Sequence, residues 1–404
     1  MSLRSKLFDV REIPYGSRVV TSVVALYWVG WGFAESLIPV LLFRFGGSFA
    51  GAGILRSVYD IAFIIAMPLV GLYADKFRAT SLLLLGLWMY VFIGSSYFLA
   101  GATGLVVFIV LARFVNGVSF SLVSVGREAF FRRHSPASKL GTVFGYFDTV
   151  ANLAWIAAAV AGIWLVRILP VHYLLLLVAP AALGSILLLL RFRRDTKRNP
   201  VLEHRGTGQL RELFMEIRGF NPKLRFLAMF NFFAAFGSAV VTFFVPLEAF
   251  VDGASYTVVI LAGIASAVPP AFGWLLGRLY DRVGYRVLGL AMVCFGLVVS
   301  TLAIFDSFAW KIALCLIVGF LVELLSIGWR EVATMHTHPD HYGKMDGIFK
   351  SVADVGALLG PIVAGLAIDR VGGHAMFGLL GLLLTVFGVM FKIMFKLSRR
   401  QRAF

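Results

Sequence analysis

The chain has 404 residues, 60% of them hydrophobic and 14% charged, with a formal net charge of +16. So few charged side chains cannot cover a water-soluble protein of this length, which excludes a soluble enzyme and points to a polytopic membrane protein. The basic excess sits in short clusters between apolar runs, the pattern of loops facing anionic lipid and not of a nucleic-acid-binding face.

A segment carrying Arg4, Lys6, Arg11 and Arg18 precedes the first apolar run, near 19–43, which is long enough to remain as a spanning helix. Further runs lie near 52–74, 80–100, 104–126, 141–167 and 171–191, then near 225–249, 256–277, 286–305, 309–330, 347–368 and 374–396. Each approaches or exceeds the roughly 20 residues that span hydrocarbon as helix, and none alternates as a barrel strand does. Twelve spanning helices are therefore expected. Cys294 and Cys315 fall inside such runs and read as small hydrophobes.

Alternate junctions carry the basic residues: Lys76 and Arg78; Arg127, Arg132, Arg133 and Lys139; Arg282 and Arg286; Lys344; and a tail from Lys392 to Arg402. The opposite junctions hold little beyond Arg44, Arg167, Lys311 and Arg370. That asymmetry places both termini in the cytoplasm of a multi-pass cell-membrane protein.

The hydrophilic stretch from Arg191 to Arg225 divides the chain into an amino-terminal six-helix bundle (1–190), a cytoplasmic linker (191–224) and a carboxy-terminal six-helix bundle (225–404). Within the linker, Leu210, Leu213, Phe214 and Ile217 share one helical face, as in a short amphipathic helix on the membrane surface. The two bundles read as copies of one unit. Leu37-Ile-Pro39 is echoed by Phe244-Val-Pro246, and Arg127-Glu128 by Arg330-Glu331. Gly141, Gly145, Phe147, Asp148, Val150, Ala151 and Asn152 align with Gly343, Gly347, Phe349, Lys350, Val352, Ala353 and Asp354 at one offset. The clearest echo is Gly71-Leu-Tyr-Ala-Asp75-Lys76-Phe-Arg78 against Gly277-Arg-Leu-Tyr-Asp281-Arg282-Val-Gly284-Tyr-Arg286.

In these features the chain resembles the major facilitator superfamily, whose loop motif after helices two and eight reads Gly-x-x-x-Asp-Arg/Lys-x-Gly-x-Arg. The second copy matches throughout, whereas the first has Arg78 in place of the second Gly. Arg113-Phe-Val-Asn116-Gly117 resembles the fourth-helix signature of many proton-coupled members. Motif content is closest to the twelve-helix drug/proton antiporters, although their fifth-helix Gly-Pro signature is missing between Asn152 and Gly162. A Gly356-x-x-x-Gly360-Pro361-x-x-x-Gly365 pattern stands in helix eleven instead. The resemblance implies an all-α fold of two pseudo-symmetric six-helix bundles working by alternating access. It also implies a cytoplasmic gate at Gly71, Asp75, Lys76, Arg127, Gly277, Asp281 and Arg282, with Asp75 meeting the amino terminus of helix eleven.

Charged residues within the spans are the candidates for chemistry, because ionised groups in hydrocarbon are costly and face the bundle interior or a cavity. Arg113 needs an acid, and Glu35, Asp148 and Asp60 are available, although Arg56 and Asp60 at i, i+4 are expected to pair with each other. Trp28, Trp31 and Glu35 share helical spacing, which sets a proton carrier beside aromatic surface. Asp148 and Asn152, and their equivalents Lys350 and Asp354, are i, i+4 pairs near corresponding helix ends. Glu323 stands in an apolar run with Ser326 and Arg330 on its face. Asn231, Ser238 and Thr242 trace a polar stripe along helix seven, suited to a cavity wall or to helix–helix hydrogen bonding. Glu35, Arg113, Asp148 and Glu323 are thus the expected proton-coupling residues. Trp28, Trp31, Asn116, Asn152, Asn231, Ser238, Thr242, Lys350 and Asp354 are expected to line the cavity with Glu35.

His336-Thr-His338-Pro339-Asp340-His341 reads as a solvated loop, since Pro339 interrupts ligand spacing, and no metal or cofactor is expected. No nucleotide-binding loop or nucleophile signature occurs, so a gradient must drive any work. The expected function is a monomeric secondary transporter exchanging protons for a small lipophilic or cationic molecule. A proton-coupled importer of a nutrient would use the same residues. A lipid-processing membrane enzyme is disfavoured by the short loops, and a passive channel by the paired intramembrane charges.

Overall fold

A computed structural model describes residues 13–73, 77–136, 139–193, 222–273, 275–276, 280, 284, 286–335 and 342–396. Every regular element among them is a helix. Lipid offers backbone groups no hydrogen-bond partner, so a continuous apolar run must close its bonds within itself. The helices are α1 (Tyr15–Gly32), α2 (Ile38–Gly46), α3 (Phe49–Tyr73), α4 (Ala79–Thr103), α5 (Val106–His134), α6 (Leu140–Leu165), α7 (Val171–Leu176) and α8 (Val178–Arg193). They continue with α9 (Pro222–Val251), α10 (Tyr256–Ala271), α11 (Arg286–Ser300), α12 (Phe308–Met335), α13 (Tyr342–Val371) and α14 (Gly373–Lys396). Buried or lipid-depth hydroxyls follow the same rule: Ser95, Ser185 and Thr385 each donate to the carbonyl four residues earlier.

Nine helices among the described residues are long and apolar enough to cross a bilayer, and a bent pair at the start makes a tenth. Two shorter apolar helices, Tyr256–Ala271 and Val287–Ala303, occupy the eighth and ninth expected spans, on either side of the Asp281 junction. All twelve runs are thereby accounted for, as an all-α membrane fold.

The first span is broken where Pro39 dictates. Tyr15–Gly32 and Glu35–Gly46 meet at 41°, with a 3-10 turn at Glu35–Leu37 between them. Pro39 has no N–H to give the carbonyl of Glu35, four residues back, so the ladder opens at that acid. Pro246, its repeat counterpart, sits inside the unbroken helix α9. The loop motif diverges similarly. Gly284 is left-handed, with φ of 70°, whereas Arg78 at the matching place is extended (φ −67°, ψ 134°) and precedes the first turn of α4. A side chain there disfavours the left-handed turn, so the two copies close differently.

The chain forms two compact units, Met1–Glu35 with Ile61–Glu203, and Ser36–Asp60 with His204–Phe404. In the first, α1 packs on α6 and α8, and α4 on α5, α7 and α8. Its core is aromatic: Tyr27 stacks on Tyr90 at 4.7 Å, and Trp31 stands edge-on to Tyr90 and Tyr97. In the second, α9 packs on α13, α10 on α12, and α11 on α14. Phe226, Phe230 and Phe233 of α9 meet Phe387 and Phe391 of α14.

Helices α11 and α14 cross at glycine. A methyl added at Gly296 would strike the Gly381 carbonyl, and one at Gly381 the Gly296 carbonyl. Backbone contact of this kind supplies the packing that lipid cannot drive by hydrophobicity. Gly296→Val is expected to destabilise the protein by about 1–3 kcal/mol, read as a lower thermal unfolding midpoint in detergent. An unchanged midpoint would show that the crossing relaxes freely.

Candidate functional site

In the first unit the candidate acid is built by the break in the first span. Glu35 opens the 3-10 turn and is exposed, and its Oε2 accepts a hydrogen bond of 2.6 Å from the Trp155 indole of α6. Gly32 permits this approach, because a side chain there would collide with the Trp155 carbonyl. Trp155 itself is buried, at 8% exposure, so the donor is enclosed by protein while the carboxylate it meets is exposed. Sequence reasoning missed Trp155, yet it lies three residues beyond Asn152 and seven beyond Asp148, on the same face of α6.

That face continues toward Phe147. The Arg127 guanidinium lies 4.1 Å from the centroid of the Phe147 ring, and Trp28 meets the same ring edge-on at 6.4 Å. Arg127 also stands 3.8 Å from Glu128. A cation on an aromatic face, out of bulk water, gains on the order of 1–2 kcal/mol. Arg127 and Trp28 thus share one aromatic ring. Trp28 donates to the Tyr27 hydroxyl at 2.8 Å.

The remaining first-unit residues sit as follows. Trp31 is a core residue among Tyr90 and Tyr97, at 6% exposure. Arg113 and Asn116 are both buried in α5, at 4% and 8%. Asp148 is exposed on α6, and the Asn152 amide donates to its backbone carbonyl at 2.8 Å. Gly71 lies in the last turn of α3, exposed and with open space around it.

In the second unit, Arg56 and Asp60 form the expected ion pair at 2.7 Å. Asp60 is buried at 6% and lies within electrostatic reach of Asp354 in α13, which Lys350 on its own helix also faces. The set of charged residues here comprises the bonded Arg56–Asp60 pair of α3 and Lys350 with Asp354, four residues apart on α13. Only half of it, Lys350 and Asp354, was legible as a site from the repeat. Asn231 is buried and donates from its side chain to the Phe349 carbonyl at 3.0 Å, joining α9 to α13. The Thr242 hydroxyl donates to the Ser238 carbonyl at 2.8 Å and remains exposed. Glu323 is half-buried in α12, its carboxylate against Gly273, while Ser326 donates to its backbone carbonyl.

Lys311 holds a position that basic-residue counting put near a loop. Its ammonium is 1% exposed and is clamped by Asp252 at 2.5 Å, Asp306 at 2.6 Å and Glu248 at 3.8 Å. Asp75, Lys76, Gly277, Asp281 and Arg282, the linker helix and the His336–His341 loop lie outside the described residues. Among the described residues no group of three or more His, Cys, Asp or Glu side chains is arranged to hold a metal.

The fold has known counterparts. The sequence matches the profile described as Major Facilitator Superfamily over residues 20–345 and 286–404. Among curated proteins it is 26% identical over 112 residues to the proton-coupled antiporter flippase LtaA of Staphylococcus saprophyticus, covering 27% of each chain. It is 29% identical over 137 residues to the multidrug efflux pump Tap of Mycolicibacterium fortuitum, covering 30% of this chain and 33% of that one. The chain thus matches only about a quarter to a third of the length of these relatives. Among solved structures, the nucleoside transporter NupG superposes with a TM-score of 0.72 at 16% identity, covering 95% of this chain and 99% of that one. A bacterial homolog of the human lysosomal transporter Spinster gives 0.69 at 15% identity, covering 94% of each. Those identities establish the fold alone, while the profile spans nearly the entire sequence. The chain belongs to the major facilitator superfamily.

Proposed function

We propose that the protein is a proton-coupled exporter of small lipophilic or cationic molecules. In this reading its two sequence repeats, 1–190 and 225–404, alternately expose a shared site while the 191–224 linker joins them in the cytoplasm. The observation that carries the reading is the Glu35 carboxylate at the break in the first span, exposed yet tethered to the Trp155 indole. An acid at membrane depth is retained only where it is used or neutralised. One that binds a proton or a cation, but not both, exchanges them by mutual exclusion, and the gradient then moves the solute. Trp28, Phe147 and Trp155 supply aromatic faces that suit a lipophilic cation.

Asp148, Glu323 and Arg113 complete the proton-coupling set. Asn116, Asn152, Asn231, Ser238, Thr242, Lys350 and Asp354 line the route, and Trp31 backs it from the core. Gly71, Asp75, Lys76, Arg127, Gly277, Asp281 and Arg282 form the cytoplasmic gate. The transporter acts as a monomer in the plasma membrane with both termini inside. Partial similarity to proteins named as a proton-coupled antiporter and a multidrug efflux pump supports this choice over import.

The test uses purified protein in liposomes with an imposed pH difference and a fluorescent lipophilic cation. Uphill accumulation that collapses on adding a protonophore is expected. Movement indifferent to the pH difference would overturn proton coupling. A panel in which only anionic or sugar-like solutes move would overturn the substrate class.

A further inference from the structure

The loop element that marks the ends of helices two and eight occurs a third time. Gly365-Leu-Ala-Ile-Asp369-Arg370-Val-Gly372 closes α13 with the spacing of Gly277, Asp281, Arg282 and Gly284. The backbone agrees, since Gly372 is left-handed with φ of 82°, as Gly284 is with 70°. Here the acid and its partners are all described. Asp369 Oδ1 accepts from the Phe49 amide at 3.1 Å and Oδ2 from the Ala50 amide at 2.8 Å. These are the first two amides of α3, which have no partner within their own helix. Ser48 takes the third, its hydroxyl accepting from Gly51 at 3.0 Å, and its carbonyl starts the regular ladder by accepting from Ala52. Asp369 is thus a helix cap supplied from a different span, with a negative charge at the positive end of the α3 dipole.

The cap sits at one end of a seam. A methyl at Gly365 would stand 2.5 Å from the Phe49 carbonyl, one at Gly53 would strike the Pro361 carbonyl, and Ser57 donates to the Leu358 carbonyl at 2.9 Å. Positions 358, 361, 365 and 369 form one face of α13, and each meets backbone or a small residue of α3. Beside it, Arg44 bonds the Tyr256 hydroxyl and lies 5.7 Å from the centroid of the Phe250 ring. The seam ends inward at the Arg56–Asp60 pair. Yet the Asp369 bonds themselves are exposed, so water can replace them. The seam is held by the two Asp369 bonds at its wet end and by the Ser57 bond within it, and the wet end is where water can first compete.

We propose that Asp369 is a reversible latch: its two bonds to the α3 amides hold α3 on α13, and their rupture is a step of the transport cycle. This rests on the transporter reading with two alternately opened ends. It does not depend on proton coupling or on the substrate.

The test is cysteine reactivity in the purified full-length protein, with Cys294 and Cys315 replaced by Ala. Two single reporters are used with a water-soluble maleimide. Ser57→Cys lies in the seam at 1% exposure, and Gly145→Cys lies in α6, where a side chain meets open space. Adding Asp369→Ala is expected to speed labelling of the Ser57→Cys reporter by roughly tenfold or more, the factor set by losing a charge-assisted cap. It is also expected to slow the Gly145→Cys reporter several-fold, because opening one end closes the other. Faster seam labelling with Gly145→Cys unchanged would mean local fraying and overturn the proposal, as would unchanged labelling of both. If Asp369→Ala fails to fold, Asp369→Asn, which keeps one acceptor oxygen, carries the test by the same criteria with a smaller shift. Because no transported solute or pH difference enters this assay, a negative transport result leaves the latch standing, and a negative labelling result leaves the transport reading standing.

Discussion

Glu35→Gln leaves the fold intact and abolishes accumulation driven by a pH difference. The carboxylate is exposed and bonded through one oxygen to Trp155, and an amide of the same shape keeps that acceptor. What it loses is the proton. For one proton exchanged per cation, an imposed difference of about 2 pH units sustains roughly a hundredfold concentration ratio, since each unit is about 1.4 kcal/mol. The variant should bring the ratio close to one while still allowing downhill exchange. The check is the accumulation ratio in liposomes at several imposed pH differences, beside the unfolding midpoint in detergent. If the variant concentrates the cation with the parent's pH dependence, Glu35 is not the coupling acid, and Asp148 and Glu323 become the candidates. Trp155→Phe is the companion: it keeps an aromatic ring and removes the donor, so partial loss with an unchanged midpoint separates positioning of Glu35 from packing.

Lys311→Met is expected to have the largest effect on stability. Its ammonium is 1% exposed and faces three acids, of which Glu248 is the least solvated, at 13% side-chain exposure. Removing one partner of a buried charge group leaves the others uncompensated, typically a loss of about 3–5 kcal/mol. Asp252 and Asp306 are more exposed, at 35% and 50%, and hydration offsets part of their share. The lower end of that range is therefore expected, read as a fall of the unfolding midpoint on the order of 10 °C. Lys311→Met with Glu248→Gln should recover much of the loss, because the carboxylate that water reaches least is then neutral. Equal midpoints for single and double variants would show that Glu248 takes no part. The site also joins α9, α12 and the start of α14, where Gly373 abuts the Glu248 carboxylate.

The spans were legible because their landmarks are chemical: Pro39 and Pro246, Asp75 and Asp281, and Asp148 and Lys350 interrupt apolar sequence at matched places. Which side of each helix faces inward was not. Trp28 and Trp31 look alike in sequence, yet Trp31 is enclosed by Tyr90 and Tyr97 while Trp28 reaches Phe147 and Tyr27. Lipid tails are as apolar as a protein core, so a spanning helix carries no strong polar stripe to mark its outer face. Lys311 shows the same limit from the other direction. Counting basic residues put it near a water-facing junction, but two acids from the end of α9, Glu248 and Asp252, and a third before α12, Asp306, gather around it.

Sequence alone therefore determined the helical class, the positions of the spans and the superfamily. Each rests on local composition or on spacing along the chain. Tertiary structure alone decided that Trp155 holds Glu35, that Lys311 is clamped, and that Asp369 caps α3. Those pairings join residues up to some three hundred positions apart, and they follow from how small residues let particular helices approach, which no single span encodes.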